Sequence, residues 1–213
     1  MRMILLGPPG AGKGTQAEAI TKRLHIPAVS TGDILRDAVV RETPVGLKAK
    51  AFMDAGDLVP DEIIIGIVIE RISRMDCNNG YILDGVPRTL IQAQALDEQG
   101  IDLDVVLSIE VSDDEILKRL GGRRVCPDCK ATYHVISKPT EKDGICDSCG
   151  GSLATRKDDE QETIRNRLEA YHKETKPLKK YYEAQGILKA VDGHQLVAET
   201  TEAVFKIMGL FES

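Results

Sequence analysis

The hydrophobic residues of this chain follow two alternating patterns. Short, continuous apolar runs predict buried strands, and these runs lie at residues 3–6, 81–83, 105–109 and 188–191, with a weaker candidate at 28–30. Longer stretches with apolar positions at helical spacing separate them, and they lie at residues 13–24, 33–41, 61–75, 89–99 and 113–120. Strands that alternate with helices form a parallel sheet with helices on both faces. The pattern therefore predicts an α/β fold with a doubly wound parallel sheet.

Two segments break this alternation. Residues from about 30 to 60 contain only helix and turn patterns, and residues from about 122 to 159 are rich in cysteine, glycine, proline and charged side chains. Each segment is too long for an ordinary connection between elements. We therefore predict one core, formed by residues 1–29, 60–121 and 160–213, with two inserted lobes at 30–59 and 122–159. A long helical stretch at 160–182 follows the second lobe, and Pro177 is expected to kink or split it.

Composition and charge argue against several classes of protein. The chain has 213 residues and a formal net charge of −6. This acidic balance argues against a dedicated binder of nucleic acid or of an anionic membrane, so we expect neither as a partner. The longest apolar runs are too short to span a bilayer. The first residues lead directly into a glycine-rich motif, which favours a first strand over a signal peptide and hence a cytoplasmic location.

That glycine-rich motif lies between the first predicted strand and the first predicted helix. It reads Gly-Pro-Pro-Gly-Ala-Gly-Lys-Gly-Thr from Gly7 to Thr15. It resembles a P-loop, in which backbone N–H groups, a helix N-terminus and a lysine hold the phosphates of a nucleoside triphosphate. Gly14 stands where that pattern has Ser or Thr, and a glycine-rich turn without a ligand is the alternative. The order of strand, loop, lysine and helix favours phosphate binding by Gly10, Ala11, Gly12, Lys13, Gly14 and Thr15.

Polar motifs also follow the second and third predicted strands. Thr31 begins the motif Thr-Gly-Asp-Ile-Leu-Arg, which predicts Thr31 as a helix N-cap and Arg36 in the first turns of that helix. Asp84 and Arg88 follow the third strand, at the edge of the sheet where ligands bind in open α/β folds. An Asp beside a P-loop can organise the water shell of Mg²⁺. Arginine presents a fork of donors that suits phosphate oxygens, so a second phosphate site is predicted here.

Four of the five cysteines form two Cys-x-x-Cys pairs. Cys126 and Cys129 make the first pair, Cys146 and Cys149 make the second, and sixteen residues (130–145) lie between the pairs. This spacing is typical of a structural zinc site with four cysteine ligands, although iron is chemically possible. Because all four ligands come from the protein, the metal is expected to hold the lobe together rather than to activate water.

Taken together, these motifs resemble the adenylate kinase family, in its bacterial form with a long zinc-bearing lid. The resemblance runs over the whole chain and includes GPPGAGKGT, STGDILR, AGDLVPDE, LDGVPRT, GRRVCPDC, TYH, RKDDEQETIRNRL and VDGHQ. It implies a P-loop core, an AMP-binding lobe at 30–59 and a lid at 122–159. It also implies a monomeric enzyme of adenine nucleotide homeostasis, which uses Mg²⁺ to transfer a phosphoryl group reversibly from ATP to AMP and gives two ADP.

The same resemblance implies roles for individual residues. ATP would be held by the P-loop, by the lid residues Arg123, Thr132 and Tyr133, and by the backbone carbonyl of Gln195. AMP would be held by Thr31, Arg36, Asp57, Leu58, Val59, Gly85, Val86, Pro87, Arg88, Gln92, Arg156 and Arg167. Within that set, Arg88 would bind the phosphate and Gln92 would read the adenine. The catalytic residues would be Lys13, Asp84, Arg88, Arg123, Arg156, Asp158, Asp159 and Arg167. Asp84 would orient the Mg²⁺ shell, and Asp158 and Asp159 would help to lock the lid.

Two positions depart from the family pattern. Val86 stands where Phe is common, and Asp57 stands where Lys or Glu is common.

Two alternative functions stay open. One is a kinase for UMP or CMP, or one that uses GTP; the long lid and Gln92 favour AMP. The other is a nucleotide-gated protein whose zinc lobe grips nucleic acid. The acidic balance and the second phosphate site oppose this second alternative.

Overall fold

The computed structural model describes residues 1–210; residues 211–213, at the end of the predicted core, lie outside the described residues. The strands are β1 (Arg2–Leu6), β2 (Ala28–Ser30), β3 (Tyr81–Asp84), β4 (Val105–Glu110), β5 (Arg123–Val125), β6 (Thr132–His134) and β7 (Leu188–Asp192). Five of them form a central sheet in which every pairing is parallel, with the order β2-β3-β1-β4-β7. The two short antiparallel strands β5 and β6 form a separate sheet. The predicted α/β fold with a central parallel sheet is confirmed.

Helices connect the strands and cover both faces of the sheet. They are α1 (Lys13–Leu24), α2 (Thr31–Val40), α3 (Pro44–Ala55), α4 (Asp61–Ile72), α5 (Leu90–Glu98), α6 (Asp113–Gly121), α7 (Gln161–Ala170), α8 (Leu178–Ala184) and α9 (Val197–Ile207). Short 3₁₀ turns lie at Met75–Cys77 and Lys157–Asp159, and a π-helical turn lies at Tyr171–Thr175. No helix within residues 1–210 is long and apolar enough to cross a membrane.

The alternation of side chains along β1 divides the core into two layers. Ile4 and Leu6 point to one face and pack in a cluster with residues of α4, α5 and α8, including the fully buried Tyr182. Met3 and Leu5 point to the other face and pack with residues of α1, α6 and α9. A strand that is buried on both faces has no side chain in contact with water, so its residues are continuously apolar. Such apolar runs are the pattern from which the sequence analysis predicts these strands.

The first inserted segment is a pair of helices, α2 and α3. Ser30 caps α2 by accepting a hydrogen bond from the backbone N–H of Asp33 at 3.3 Å, and Thr43 caps α3 from the N–H of Gly46 at 3.1 Å. The two helices meet closely at Gly46, where a Cβ atom would collide with the carbonyl oxygen of Ala38. Glycine is therefore required for the close approach of α3 to α2. α2 begins at Thr31, two residues earlier than the sequence pattern predicts, because the N-cap is Ser30 rather than Thr31.

The second inserted segment and the helix after it also differ in detail from the predictions. β5 and β6 pair Arg124 with Tyr133, and a further bridge joins Val125 to Ala154. Neither strand was predicted. The long helical stretch is divided into α7, the π-helical turn and α8, with Pro177 immediately before α8. The expected division at this proline is thus present in the structure.

Candidate active site

The glycine-rich loop leaves the carboxyl end of β1 and enters α1. Gly10 and Gly12 adopt φ angles of 79° and 94°, which side-chain-bearing residues rarely adopt, and so the chain can turn its backbone N–H groups inward. The Lys13 Nζ atom lies across this loop and donates to the carbonyl oxygens of Gly7 and Pro8, each at 2.8 Å. Burial lowers the pKa of Lys13 to about 8, although Asp84 opposes this shift. The loop therefore has the conformation and the cation that phosphate binding needs.

Asp84 ends β3 beside this loop. Burial raises the pKa of Asp84, while the charges of Lys13 and Arg88 oppose the increase. A Cβ atom on Gly14 would lie 3.8 Å from the Asp84 Oδ2 atom, so the absence of a side chain there leaves the carboxylate open toward the start of α1. Carboxylate oxygen is the donor that Mg²⁺ prefers, and this position fits a Mg²⁺ ion that arrives with phosphates on the loop.

A second concave site opens between the α2–α3 lobe and the loop after β3. Arg88 lies in it, and its Nε atom donates to the carbonyl oxygen of Gly85 at 2.8 Å. The Thr31 hydroxyl donates to the same oxygen at 3.1 Å, which ties α2 to this loop. Burial lowers the pKa of Arg88, and Asp84 opposes that change. The lining residues are Thr31, Gly32, Leu35, Arg36, Met53, Gly56, Asp57, Leu58, Val59, Ile64, Gly85, Arg88, Gln92, Asp158 and Arg167.

Gln92 also lines this cavity. It is 1% exposed, and each end of its amide has a partner. The Oε1 atom accepts from the backbone N–H of Arg88 at 2.7 Å, and the Nε2 atom donates to the Asp61 Oδ1 atom at 2.8 Å. Since an amide offers two donors and two acceptor sites, one of each remains for a ligand. Val86, by contrast, is 1% exposed within the hydrophobic core, and Pro87 is buried beside it.

Three arginines from the second lobe and α7 gather near the second concave site, which Arg167 helps to line. Arg123 makes a double hydrogen bond to Asp159, which includes Nε to Oδ2 at 2.7 Å. The Arg167 Nη1 atom lies 3.0 Å from Asp158 Oδ2 and 3.4 Å from Asp159 Oδ1. Burial and the neighbouring arginines lower the pKa of Arg156 to about 10.

This concentration of positive charge contrasts with the acidic balance of the whole chain. The pKa of Arg167 is also lowered to about 10, chiefly by burial, and Arg123 and Arg88 add to the effect while Asp158 opposes it. The Nε atom of Arg156 is buried without a hydrogen-bond partner. Because the arginines repel one another and one buried donor is unsatisfied, an anion held between them would relieve both penalties.

The comparison with known proteins agrees with this geometry. The family model described as adenylate kinase matches residues 5–187. The chain belongs to the adenylate kinase family. Three relatives named adenylate kinase illustrate the similarity. The protein of Caldicellulosiruptor bescii is 55% identical over 99% of this chain and 100% of its own length. That of Ruminiclostridium cellulolyticum is 53% identical over the same shares. That of Carboxydothermus hydrogenoformans is 53% identical over 96% of this chain and 97% of its own length.

The four cysteines of this adenylate kinase family member converge in the second lobe. Their Sγ atoms all lie within 4.8 Å of one another, and the Cys126–Cys149 and Cys129–Cys146 pairs are 3.5 and 3.4 Å apart. Zn–S bonds of about 2.3 Å in a tetrahedron place sulfurs roughly 3.8 Å apart, so the set fits zinc. The two Cys-x-x-Cys segments also make the same backbone hydrogen bond. The N–H groups of Lys130 and Gly150 donate to the carbonyls of Cys126 and Cys146.

Three further residues that the sequence analysis assigned to ATP binding lie in the second lobe and in the loop after β7. Tyr133 is buried beside the cysteines, with its hydroxyl 3.4 Å from the Cys146 Sγ atom, and its side chain does not join the arginine group. Thr132, the neighbouring residue on β6, is half-buried. Gln195 is exposed in the loop between β7 and α9. The contacts of these residues with ATP stay predictions.

Sequence reasoning missed several residues that shape the site. Asp33 pairs with Arg36, whose Nη2 atom is 2.6 Å from Asp33 Oδ1, and with Arg156 at 3.9 Å. The Thr175 hydroxyl donates to the carbonyl of Arg88 at 2.8 Å across 87 positions of the chain. Asp33 lies inside a motif that the sequence analysis used, so its charge beside Arg36 was a usable signal. Thr175 offers no such signal, because a contact between distant segments leaves no local pattern.

Proposed function

We propose that this member of the adenylate kinase family transfers a phosphoryl group reversibly between ATP and AMP, giving two molecules of ADP. One observation carries the proposal: the glycine-rich loop and the second concave site share a single field of positive charge. Burial is the main cause of the lowered pKa of Lys13, and the charges of Arg88 in the second concave site, Arg167 and Arg123 lower it further. The phosphates of ATP and the phosphate of AMP, placed end to end, would both lie within this region of positive charge. A hydrolase or a nucleotide switch has no need of the second site.

ATP is placed on the glycine-rich loop. The backbone N–H groups of Gly10 to Thr15 and the Lys13 ammonium hold its phosphates, supported by the positive end of α1. Arg123, Thr132 and Tyr133 of the lid and the carbonyl of Gln195 hold the rest of the nucleotide. Bound with ATP, Mg²⁺ would neutralise charge that develops on the phosphates. Asp84 is positioned to orient its water shell.

AMP is placed in the second concave site. Arg88 and Arg36 bind its phosphate, and both are held in place by other protein groups, Gly85 and Asp33 respectively. Asp57, Leu58 and Val59 close the cavity around the nucleoside. The free acceptor and donor of Gln92 face the base. An adenine offers an amino donor beside a ring nitrogen acceptor, which complements this pair.

Catalysis then depends on alignment and on charge. An AMP oxygen attacks the terminal phosphorus of ATP in line with the leaving ADP oxygen, and little covalent chemistry is asked of the protein. Lys13, Arg123, Arg156 and Arg167 stabilise the charge on the transferring group. Asp158 and Asp159 hold the arginines in place from the hinge of the lid. Closure of residues 122–159 over the site excludes water, which would otherwise accept the phosphoryl group.

We also propose that the cysteine site holds a structural zinc ion, that the enzyme acts as a cytoplasmic monomer, and that neither nucleic acid nor membrane is its partner. The sulfur spacing supports zinc. The negative net charge supports the absence of a polyanionic partner.

Phosphorus NMR tests the reaction directly. The protein is mixed with ATP and Mg²⁺, and AMP, CMP, UMP or GMP is added in separate samples. We expect ADP to form only with AMP and no free phosphate to appear in any sample. Free phosphate without a monophosphate would overturn the proposal in favour of a hydrolase. A preference for another monophosphate would keep the mechanism and overturn the assignment of AMP.

Arg88→Ala tests the second phosphate site. The variant removes the guanidinium from the AMP cavity, so kcat/KM for AMP should fall by roughly 10³-fold, while calorimetry should show an ATP dissociation constant close to that of the wild type. Arg165→Ala is the matched control, because Arg165 lies exposed on α7. Equal losses of affinity for both nucleotides would contradict the assignment of Arg88 to AMP.

A further inference from the structure

Asp61 makes contacts that the proposed mechanism does not use. It lies in the first turn of α4, within the motif AGDLVPDE, and it does not line the AMP cavity. Its Oδ1 atom nevertheless accepts two hydrogen bonds from the segment that carries the AMP ligands. The Thr89 hydroxyl donates at 3.0 Å, and the Gln92 Nε2 atom donates at 2.8 Å. One carboxylate oxygen therefore holds both the N-cap of α5 and the side chain that faces the base.

These contacts determine which way the Gln92 amide points. A carboxylate only accepts hydrogen bonds and a backbone N–H only donates them. With its Nε2 atom toward Asp61 and its Oε1 atom toward the Arg88 N–H, Gln92 satisfies both neighbours. If the amide turned over, an oxygen would face the carboxylate and an NH₂ group would face the N–H. Gln92 is almost completely buried, so no water could compensate for these two mismatches.

We propose that Asp61 is a positioning residue that sets base specificity by fixing the Gln92 amide in this orientation. The inference rests on the proposed function, in which Gln92 reads the base of AMP. The fixed amide presents one acceptor and one donor at set positions. The 6-amino group of adenine matches the acceptor. Inosine monophosphate carries an oxygen in place of that amino group, so it places an acceptor against an acceptor, and only a turned amide would accommodate it.

The test compares AMP and inosine monophosphate as phosphoryl acceptors for two variants. Asp61→Leu removes the acceptor, so the Gln92 Nε2 donor loses its buried partner and the amide is no longer held in one orientation. We therefore expect KM for AMP to rise about tenfold and the preference for AMP over inosine monophosphate to fall about tenfold. KM for ATP should stay at the wild-type value. Asp61→Asn keeps an oxygen at the same place, so it should restore most of the KM for AMP. Because an asparagine amide can also satisfy a turned Gln92, the preference for AMP over inosine monophosphate should stay lowered in this variant.

Glu62→Leu is the matched control. Glu62 is the exposed acidic neighbour of Asp61 in the same first turn of α4, so its removal takes the same charge from the same helix end. If Asp61 only stabilised α4, both leucine variants would lower the melting temperature and neither would change the choice between the two monophosphates. That result would overturn the proposal.

A spectroscopic measurement keeps the proposal testable if Asp61→Leu does not fold. In the wild-type protein, NMR should show one Gln92 side-chain amide proton shifted downfield and protected from exchange, since it is bonded to Asp61. In Asp61→Asn the two amide protons should become more alike, because an asparagine can satisfy either orientation. Unchanged amide resonances in that variant would overturn the proposal. A wild-type protein that makes no ADP from ATP and AMP would instead refute the proposed function.

Discussion

Among single residues, Lys13 has the property most open to direct measurement. Burial lowers its pKa to about 8. A lysine is charged below its pKa and neutral above it, so Lys13 loses its charge as the pH rises through about 8. Phosphate oxygens favour the charged form, and ATP binding above this pH should take up a proton. We expect the ATP dissociation constant to rise with pH above this value, by up to about tenfold per pH unit.

Calorimetric titration of ATP between about pH 7 and pH 9.5, in buffers of different ionisation enthalpy, measures both the affinity and the proton uptake. Lys13→Arg is the control, because a guanidinium stays charged over this range. Its ATP affinity should be weaker but nearly independent of pH. A wild-type protein with constant affinity and no proton uptake would show that the lysine already titrates above this range.

At the scale of the elements, the zinc ion proposed for the cysteine site would explain how the second lobe holds its shape. Its buried apolar cluster is small and consists of Cys126, Tyr133 and Cys146, with Ala131 and Leu153 partly buried against it. Such a core is too small to order the lobe alone. Cys126→Ser should therefore reduce bound zinc from about one ion per chain to almost none. Amide hydrogen exchange should increase across residues 122–159 while β1 and β4 stay protected.

Cys77→Ser provides the comparison for that experiment. Cys77 is buried beside Arg71, far along the chain from the other four cysteines, and it is not part of the group that could hold a metal. Its replacement should leave both the zinc content and the exchange in residues 122–159 unchanged. The metal would have no structural role if a zinc-free Cys126→Ser protein kept wild-type exchange rates in the second lobe.

The elements also show which parts of the fold were predictable. β1 and β4 are short apolar runs buried on both faces, so each was recognised to within one residue at either end. β5 and β6 escaped prediction because each has three residues, and β5 carries the half-buried Arg123 and Arg124. Motifs made of consecutive residues, such as the glycine-rich loop, could be recognised in the sequence. The contact of Asp61 with Gln92 could not be predicted, because 31 positions separate the two residues.

At the scale of the whole molecule, the two inserted segments touch each other across the site. The Lys130 Nζ atom, next to the cysteine ligands, lies 3.0 Å from Asp37 Oδ1 on α2. The Lys157 Nζ atom lies 2.8 Å from Asp54 Oδ2 on α3. The first pair is close to half-exposed on both sides, so each pair is expected to contribute modestly and to weaken with salt. If residues 122–159 act as the lid of the proposed function, these ion pairs favour its closed position.

Removing both pairs should therefore shift the protein toward open conformations. The double variant Asp37→Asn, Lys157→Gln should raise the ratio of open to closed molecules by about two- to thirtyfold at low salt, because each exposed pair contributes about 0.2–1 kcal/mol. Energy transfer between dyes on the lid and on α3 measures this ratio, and added salt should shift the wild type in the same direction. Glu70→Gln, which removes the exposed ion pair with Arg74 at the end of α4, is the control and should change nothing. A double variant with the wild-type distance distribution at every salt concentration would show that the lid closes without these pairs. In that case the arginines around the transferring phosphoryl group would be the groups that close it.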